Sequence, residues 1–378
     1  MNEQGLNEFI TSNYPAMLDT LRQLCAIPAP SHFEQARAEY CRAWLESVGA
    51  RGVYIDDALN VVFPINCEGS NEITVFVAHT DTVFPDTEPM PYFEDEQRIC
   101  CPGVGDDTAS VAVLLMLAKY FIENKIQPRR GVMLVCNSCE EGLGNLKGTR
   151  KIFADYEGRI ARFISLDSHL STISDACAGS HRYEVEVLTQ GGHSYQNFGR
   201  ANAICELSKI VADIYKIEVP QKDGCRTTYN VGSISGGTSV NTIAQSAKML
   251  CEYRSNDREC LEIMQRKFEE IFKNAESDGV RVCVNKIGDR PCSNIDEAVL
   301  APLRRVVGDT VSGVIGKSVK FNSASTDCNI PLSLGIPALC IGVYTGGGTH
   351  TREEWMDKKS LIPGLEIAIK VATGLAEV

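Results

Sequence analysis

Six histidines occur in 378 residues, and two of them stand in strings suited to metal chemistry. The first is His79, in His79-Thr80-Asp81-Thr82-Val83. Residues two apart on an extended segment point the same way. Asp81 is therefore placed to accept a hydrogen bond from the imidazole nitrogen that does not face a metal, which fixes the tautomer and raises ligand basicity. By itself, His-x-Asp reads more plainly as a surface polar pair. Gly103-Val104-Gly105-Asp106-Asp107-Thr108 sets two adjacent carboxylates behind glycines that allow an unusual backbone. Alone, that string reads as a helix cap with an acidic first turn. It is no dinucleotide fingerprint, because paired aspartates would repel a pyrophosphate. In Cys136-Asn137-Ser138-Cys139-Glu140-Glu141-Gly142, two glutamates repel unless a cation or a shared proton compensates. One can bind metal while the other, its pKa raised, serves as general base; a solvated turn is the plain alternative. Asp167 and His350, the second of the two histidines and preceded by Gly346-Gly347-Gly348-Thr349, complete the set.

These residues need a scaffold that gathers them, and the hydrophobic pattern supplies one. Ile73–Ala78, Gly131–Cys136, Arg162–Leu166 and Ala338–Val343 are short β-branched or apolar runs, as in strands buried on both faces of a sheet. Val53–Ile55 and Val61–Ile65 also read as strands, and Glu34–Val48 and Ser110–Ile122 as helices. Strands alternating with helices indicate an α/β layer structure. In such a sheet ligands collect outside the carboxyl ends of the strands. His79, Glu140, Glu141, Asp167 and His350 all follow such ends.

The pattern changes near Gly179. Arg182–Leu188 alternates charged and apolar residues, as in a strand wet on one face. A helix at Ala201–Tyr215, strands at Thr228–Ile234 and Ser246–Tyr253, a helix at Arg258–Asn274 and a strand at Val280–Ile287 follow. Strand–helix–strand–strand–helix–strand is a ferredoxin-like α+β order. The expected organisation is a catalytic domain from 1–178 and 290–378 with an inserted domain at 179–289, and hinges near Gly179 and Gly288.

Composition limits the partners. Asp plus Glu number 49 against 37 Lys plus Arg, a net charge of -12. A chain that acidic has no general attraction for nucleic acid or anionic lipid. The apolar runs are too short to span a membrane, and the first residues are polar and acidic rather than a secretory leader. Sixteen cysteines without a leader read as reduced thiols in the cytoplasm. Cys136 and Cys139 form a lone Cys-x-x-Cys, which argues against a zinc ribbon. Gly316-Lys317-Ser318 fails as a phosphate loop, since Val311 stands where glycine is required.

The ordered set His-x-Asp, Asp, Glu-Glu, Asp, His resembles the cocatalytic zinc exopeptidase and deacylase family, which includes peptidase T, glutamate carboxypeptidase, acetylornithine deacetylase and succinyl-diaminopimelate desuccinylase. The likeness runs from Leu24-Cys25-Ala26-Ile27-Pro28 to Gly347-Gly348-Thr349-His350-Thr351. It implies two zinc ions per subunit bridged by Asp106, with His79 and Asp167 completing one site and Glu141 and His350 the other. It further implies Glu140 as general base, Asp81 behind His79, and a cis peptide bond after Asp106. Thr108 departs from the Lys or Met of many relatives.

For the inserted domain, the resemblance implies a lid and dimerisation role. Gly191-Gly192-His193-Ser194 is similar to a lid motif whose histidine reaches the neighbouring subunit of a homodimer to stabilise the oxyanion. Asn241, in Gly236-Gly237-Thr238-Ser239-Val240-Asn241, and Arg254 resemble segments that touch substrate; a surface salt bridge is the plain reading of Arg254. An aspartate at the Asp167 position, together with Ser325-Thr326-Asp327-Cys328-Asn329, points toward the peptidase T branch and an aminopeptidase on short peptides. His79-Thr80-Asp81-Thr82-Val83-Phe84-Pro85 is similar to the glutamate carboxypeptidase branch, so a carboxypeptidase or an amidohydrolase on N-acyl amino acids is the alternative. A non-catalytic binding protein would have lost a ligand or the base, and neither is lost.

Overall fold

Every residue of the strand Ile73–His79 is buried, which explains why its sequence is nearly all apolar until the final histidine. In the computed structural model, which describes residues 3–377, this strand lies at the middle of an eight-stranded sheet. Val132–Asn137, Ile73–His79, Ile160–Ser165 and Ala338–Ile341 are parallel neighbours in that order. Tyr54–Ile55 and Val61–Ile65 extend one side, and Thr172–Cys177 and Lys320–Ala324 the other. The register sets His79 beside Asn137 and Val77 beside Ser165. The segments leaving the four parallel strands therefore emerge on one edge, and all carry expected site residues.

The helix Ser110–Glu123 is buried along almost its whole length. It packs between the sheet and two outer helices, Glu3–Cys25 and Leu361–Leu375. The first of these was not foreseen as an element, nor was the last. A small antiparallel sheet (Phe93–Glu94, Arg98–Cys100, Gly346–Gly347, Trp355–Asp357) is likewise new. Its hairpin pairs Gly346 with Met356 and Gly347 with Trp355, closing a loop over residues 348–354.

Two compact units result, 1–177 with 294–378, and 178–293. In the second, Gly179–Thr189, Thr227–Gly236, Ser246–Ser255 and Val280–Arg290 form an antiparallel sheet with the 227–236 and 280–290 strands at its edges. The helices Ala203–Ile214 and Arg258–Asn274 start where Asn202 and Asp257 accept N–H groups of the first turn. Their apolar faces (Leu207, Ile210, Met264, Phe268) pack with Val185, Val187, Met249 and Tyr253. The glycines expected as hinges lie within strands, Gly179 at the start of one and Gly288 inside another beside a register shift. Among the described residues, no helix is long and apolar enough to cross a membrane.

Candidate metal centre

His79 ends its strand 1% exposed. Its main-chain N–H donates to Asp107 Oδ2 at 2.9 Å, so Asp107 braces the strand end and is not the helix cap of the plain reading. Its Nε2 faces Asp106 Oδ1 at 3.0 Å. Its Nδ1 lies 3.0 Å from the Asp81 carbonyl and 3.4 Å from the Asp81 carboxylate. The carboxylate also holds the glutamate backbone. Asp81 Oδ1 accepts the Glu140 N–H at 3.0 Å, and Oδ2 accepts the Glu141 N–H at 2.9 Å and the Ser31 hydroxyl at 2.6 Å. One buried side chain thus orients the imidazole and fixes the backbone carrying both glutamates. Burial opposes its charge, but His79, Ser31 and the Glu141 amide outweigh burial and lower its pKa.

The Asp106–Asp107 peptide bond is cis. Glu354, 2% exposed, holds this turn by accepting the N–H groups of Gly103, Gly105 and Asp106 at 2.6, 2.9 and 2.9 Å. Burial pushes the Glu354 carboxyl up to about 7 despite those bonds. From beneath, the buried Arg37 donates to Ile27 O, Thr80 O and Thr108 Oγ1 at 2.8, 3.0 and 3.1 Å. Thr108 in turn donates to Gly103 O at 2.5 Å. The residue that departs from many relatives therefore ties Arg37 to the turn.

So held, Asp106 offers each oxygen to a different imidazole: Oδ1 to His79, and Oδ2 to His350 Nε2 at 3.1 Å. His350 has φ of +64° inside the 348–354 loop, and its Nε2 also lies 3.0 Å from Glu141 Oε1. Asp106 and then Glu141 raise the His350 pKa to about 10. Burial works against an imidazolium at His79, yet Asp106, Asp107 and Asp81 push its pKa well up. Burial would raise the Asp106 pKa, but the two imidazoles bring it below the usual carboxylate range. Asp167 follows its strand with its carbonyl accepting the Cys340 thiol at 2.9 Å. Burial, then the charges of Asp106 and Asp107, push its carboxyl upward.

Donor atoms of His79, Glu140 and Asp167 lie within 4.8 Å of one another, as do those of His79, Asp106 and Glu141. Carboxylates this crowded need compensating positive charge. Imidazole nitrogens with carboxylate oxygens form a donor set that suits zinc or a similar divalent ion. The residues present therefore fit a metal. By distance alone, Glu140 is as well placed to be a ligand as Glu141.

The remaining expected residues lie elsewhere. Exposed His193 is in the 178–293 unit, on a two-residue strand paired with Thr242. Its Nδ1 accepts the Tyr195 N–H at 3.3 Å. Asn241 is close by, its carbonyl accepting the Ser194 N–H at 3.0 Å. A cavity of about 550 Å³ opens beside them, lined by Gly192, Gly236, Thr238 and Lys248 among others. Arg254 is not in that corner. It sits near the other end of the strand Ser246–Ser255, about 25 Å away at the rise of an extended chain, and is paired with Glu252 at 2.8 Å. Cys136 and Cys139 are free thiols; the Cys139 sulfur contacts Glu34 Oε1 at 3.2 Å and His32 Nδ1 at 3.4 Å. His169 packs against Tyr344 with the rings tilted by 50° and their centroids 5.0 Å apart.

Sequence reasoning missed Ser31, Arg37, Tyr344 and Glu354. Only Glu354 left a usable trace, a carboxylate four residues past His350 in a chain turning back on itself. The others act through partners far away in sequence.

The model of peptidase family M20/M25/M40 matches residues 75–374. An uncharacterised Bacillus subtilis protein, YqjE, is 22% identical over 385 residues, covering 95% of this chain and 98% of its own. The acetylornithine deacetylase of Myxococcus xanthus is 27% identical over 265 residues, 65% of this chain and 68% of its own. Among solved structures, a tripeptidase from Staphylococcus aureus superposes with a TM-score of 0.76 at 21% identity, covering 97% of this chain and 99% of its own, a likeness of fold.

Proposed function

The chain belongs to peptidase family M20/M25/M40 and is an amide-bond hydrolase; from that premise we propose a dinuclear-zinc metallopeptidase that cuts short peptides as a tripeptidase-like aminopeptidase. The observation that carries the reading is the Asp106 carboxylate, offering one oxygen to His79 and the other to His350 at 3.0 and 3.1 Å. Asp106 would stand between two ions, with His79 and Asp167 on one and Glu141 and His350 on the other. When bound, the ions supply Lewis-acid polarisation of the scissile carbonyl and a more acidic water. Glu140 takes the proton of the attacking water and returns it to the leaving amine. Asp81 keeps that glutamate in place through its backbone N–H. The inserted domain serves as lid and dimerisation domain, its His193 stabilising the oxyanion at the neighbouring subunit's centre and Asn241 meeting substrate. Arg254 keeps a substrate role only if it leaves Glu252.

Two observations favour a peptide substrate, the aspartate at position 167 and the whole-chain fold likeness to a tripeptidase. The match to an acetylornithine deacetylase favours the second reading, hydrolysis of N-acyl amino acids. A panel of di- and tripeptides with free or blocked amino ends, assayed beside N-acyl amino acids, separates them. Free-amino tripeptides should be cut, with activity lost on chelation and restored by zinc. Cleavage confined to acylated substrates would overturn the aminopeptidase in favour of the deacylase.

A further inference from the structure

Tyr344 follows the strand Ala338–Ile341 on the edge where the candidate ligands gather. The residue is 4% exposed. A Cβ added at Gly105 would fall 2.5 Å from its Cε2 and 2.8 Å from its hydroxyl oxygen, so the ring lies against the backbone just ahead of Asp106. A Cβ at Gly346 would fall 3.1 Å from the same Cε2. Against the ring lies the tilted imidazole of His169, two residues beyond Asp167, its backbone bridged to that of Tyr344. Two glycines and an imidazole thus hold the phenol in place, and each of those contacts is to its ring or backbone or is steric. Its hydroxyl has no hydrogen-bond partner among the described residues. The carboxylates of Asp106 and Asp167 are near enough to act on it electrostatically.

Held by its ring and bonded to no described protein group, the hydroxyl can serve a ligand that enters the site. Resting on the function proposed above, we propose that the Tyr344 hydroxyl is a catalytic group that donates a hydrogen bond to the carbonyl oxygen of the amide being cleaved. A phenol with its ordinary pKa of about 10 is protonated at neutral pH and so is a donor there. A donor aimed at that oxygen gains strength as the oxygen becomes negative in the transition state. Gly105 is then a glycine for a functional reason, making room for the ring that carries the donor.

The test is Tyr344→Phe, which keeps the ring and deletes only the hydroxyl. Four properties are read: turnover of the best peptide, metal content, thermal midpoint, and affinity for a phosphinic peptide analogue whose anionic oxygens mimic the attacked carbonyl. The expected result is a kcat about 10²-fold lower with KM little changed and phosphinate affinity weakened by a comparable factor. Metal content should match the wild type, and the thermal midpoint should be equal or higher because no protein hydrogen bond is lost. Unchanged kcat and phosphinate affinity would overturn the proposal. So would lost metal or a lowered midpoint, since either would assign the hydroxyl to a ligand or to the fold. A wild-type protein that neither cuts peptides nor binds the phosphinate would instead sink the aminopeptidase reading on which the proposal rests.

Discussion

Glu140 and Glu141 are chemically identical neighbours, and what each touches is what separates them. Both amides are held by Asp81, and the Glu141 carboxylate lies against His350. With Glu141 as ligand and Glu140 as base, two substitutions should part company. Glu140→Gln should retain both metal ions and lose about 10²–10⁴ in kcat, the range for a positioned proton-transfer group. His350→Ala should lose one metal equivalent along with activity. Metal analysis of the purified variants checks the contrast, and a Glu140→Gln protein short of metal would make Glu140 a ligand. The candidate site was legible in the sequence where chemistry and position coincide: a histidine or carboxylate directly after an apolar strand announces itself. Its supports were not. Glu354 meets Gly103, Gly105 and Asp106 across some 250 positions, and Arg37 is a cation held by carbonyls and a threonine, with no carboxylate paired to it among the described residues. Nothing local to Arg37 marks such a role, and Glu354 shows only its place four residues past His350.

Elements followed the same division. Strands buried on both faces and helices with caps were readable, since burial dictates composition and period. The helix Glu3–Cys25 escaped notice because its stripe (Leu6, Ile10, Met17, Leu21, Leu24) is thin and polar residues crowd between. The hairpin strands at 346–347 and 355–357 are two and three residues long, too short to show a period, yet they place both His350 and Glu354. What anchors this outer layer is Glu94. It accepts from Arg22 Nε and Nη2 at 2.8 Å each, from Tyr92 at 2.6 Å and from Lys358 at 2.6 Å, joining the first helix to the small sheet. Arg22 above all, then Lys358 and Tyr92, hold its carboxyl below the usual range in spite of burial. A folded-state pKa below the unfolded one stabilises the fold above about pH 4.3, and that stabilisation is lost as the pH falls further. Glu94→Gln should therefore cost about 2 kcal/mol at pH 7 and clearly less at pH 3, read from urea midpoints. An equal deficit at both pH values would show that the charge of Glu94 is not what matters.

At the scale of the whole molecule, a second unit of 116 residues (178–293) interrupts the chain that builds the metal centre. It has its own core and its own sheet, and the hydrophobic pattern of the sequence changes near Gly179, close to where this unit begins. Its function could not be read from pattern alone, since an exposed histidine beside glycines has many uses. The proposal that His193 acts on the metal centre of a partner subunit has a consequence that no single-chain arrangement shares. A subunit carrying His193→Ala keeps its own Glu140 but depends on its partner for the histidine, and one carrying Glu140→Gln is the reverse. Each variant alone should be crippled, His193→Ala by about 10²–10³ in kcat, with metal content normal in both. Mixed after partial unfolding and refolding, they form heterodimers by the isologous symmetry expected of such pairs. One centre in each heterodimer then has both Glu140 and a partner's His193, so activity should return toward a quarter of the wild-type level at equal mixing. Subunit exchange is followed by native mass spectrometry with one variant isotopically labelled. Full exchange without recovered activity would place His193 in its own subunit's chemistry or outside the reaction altogether.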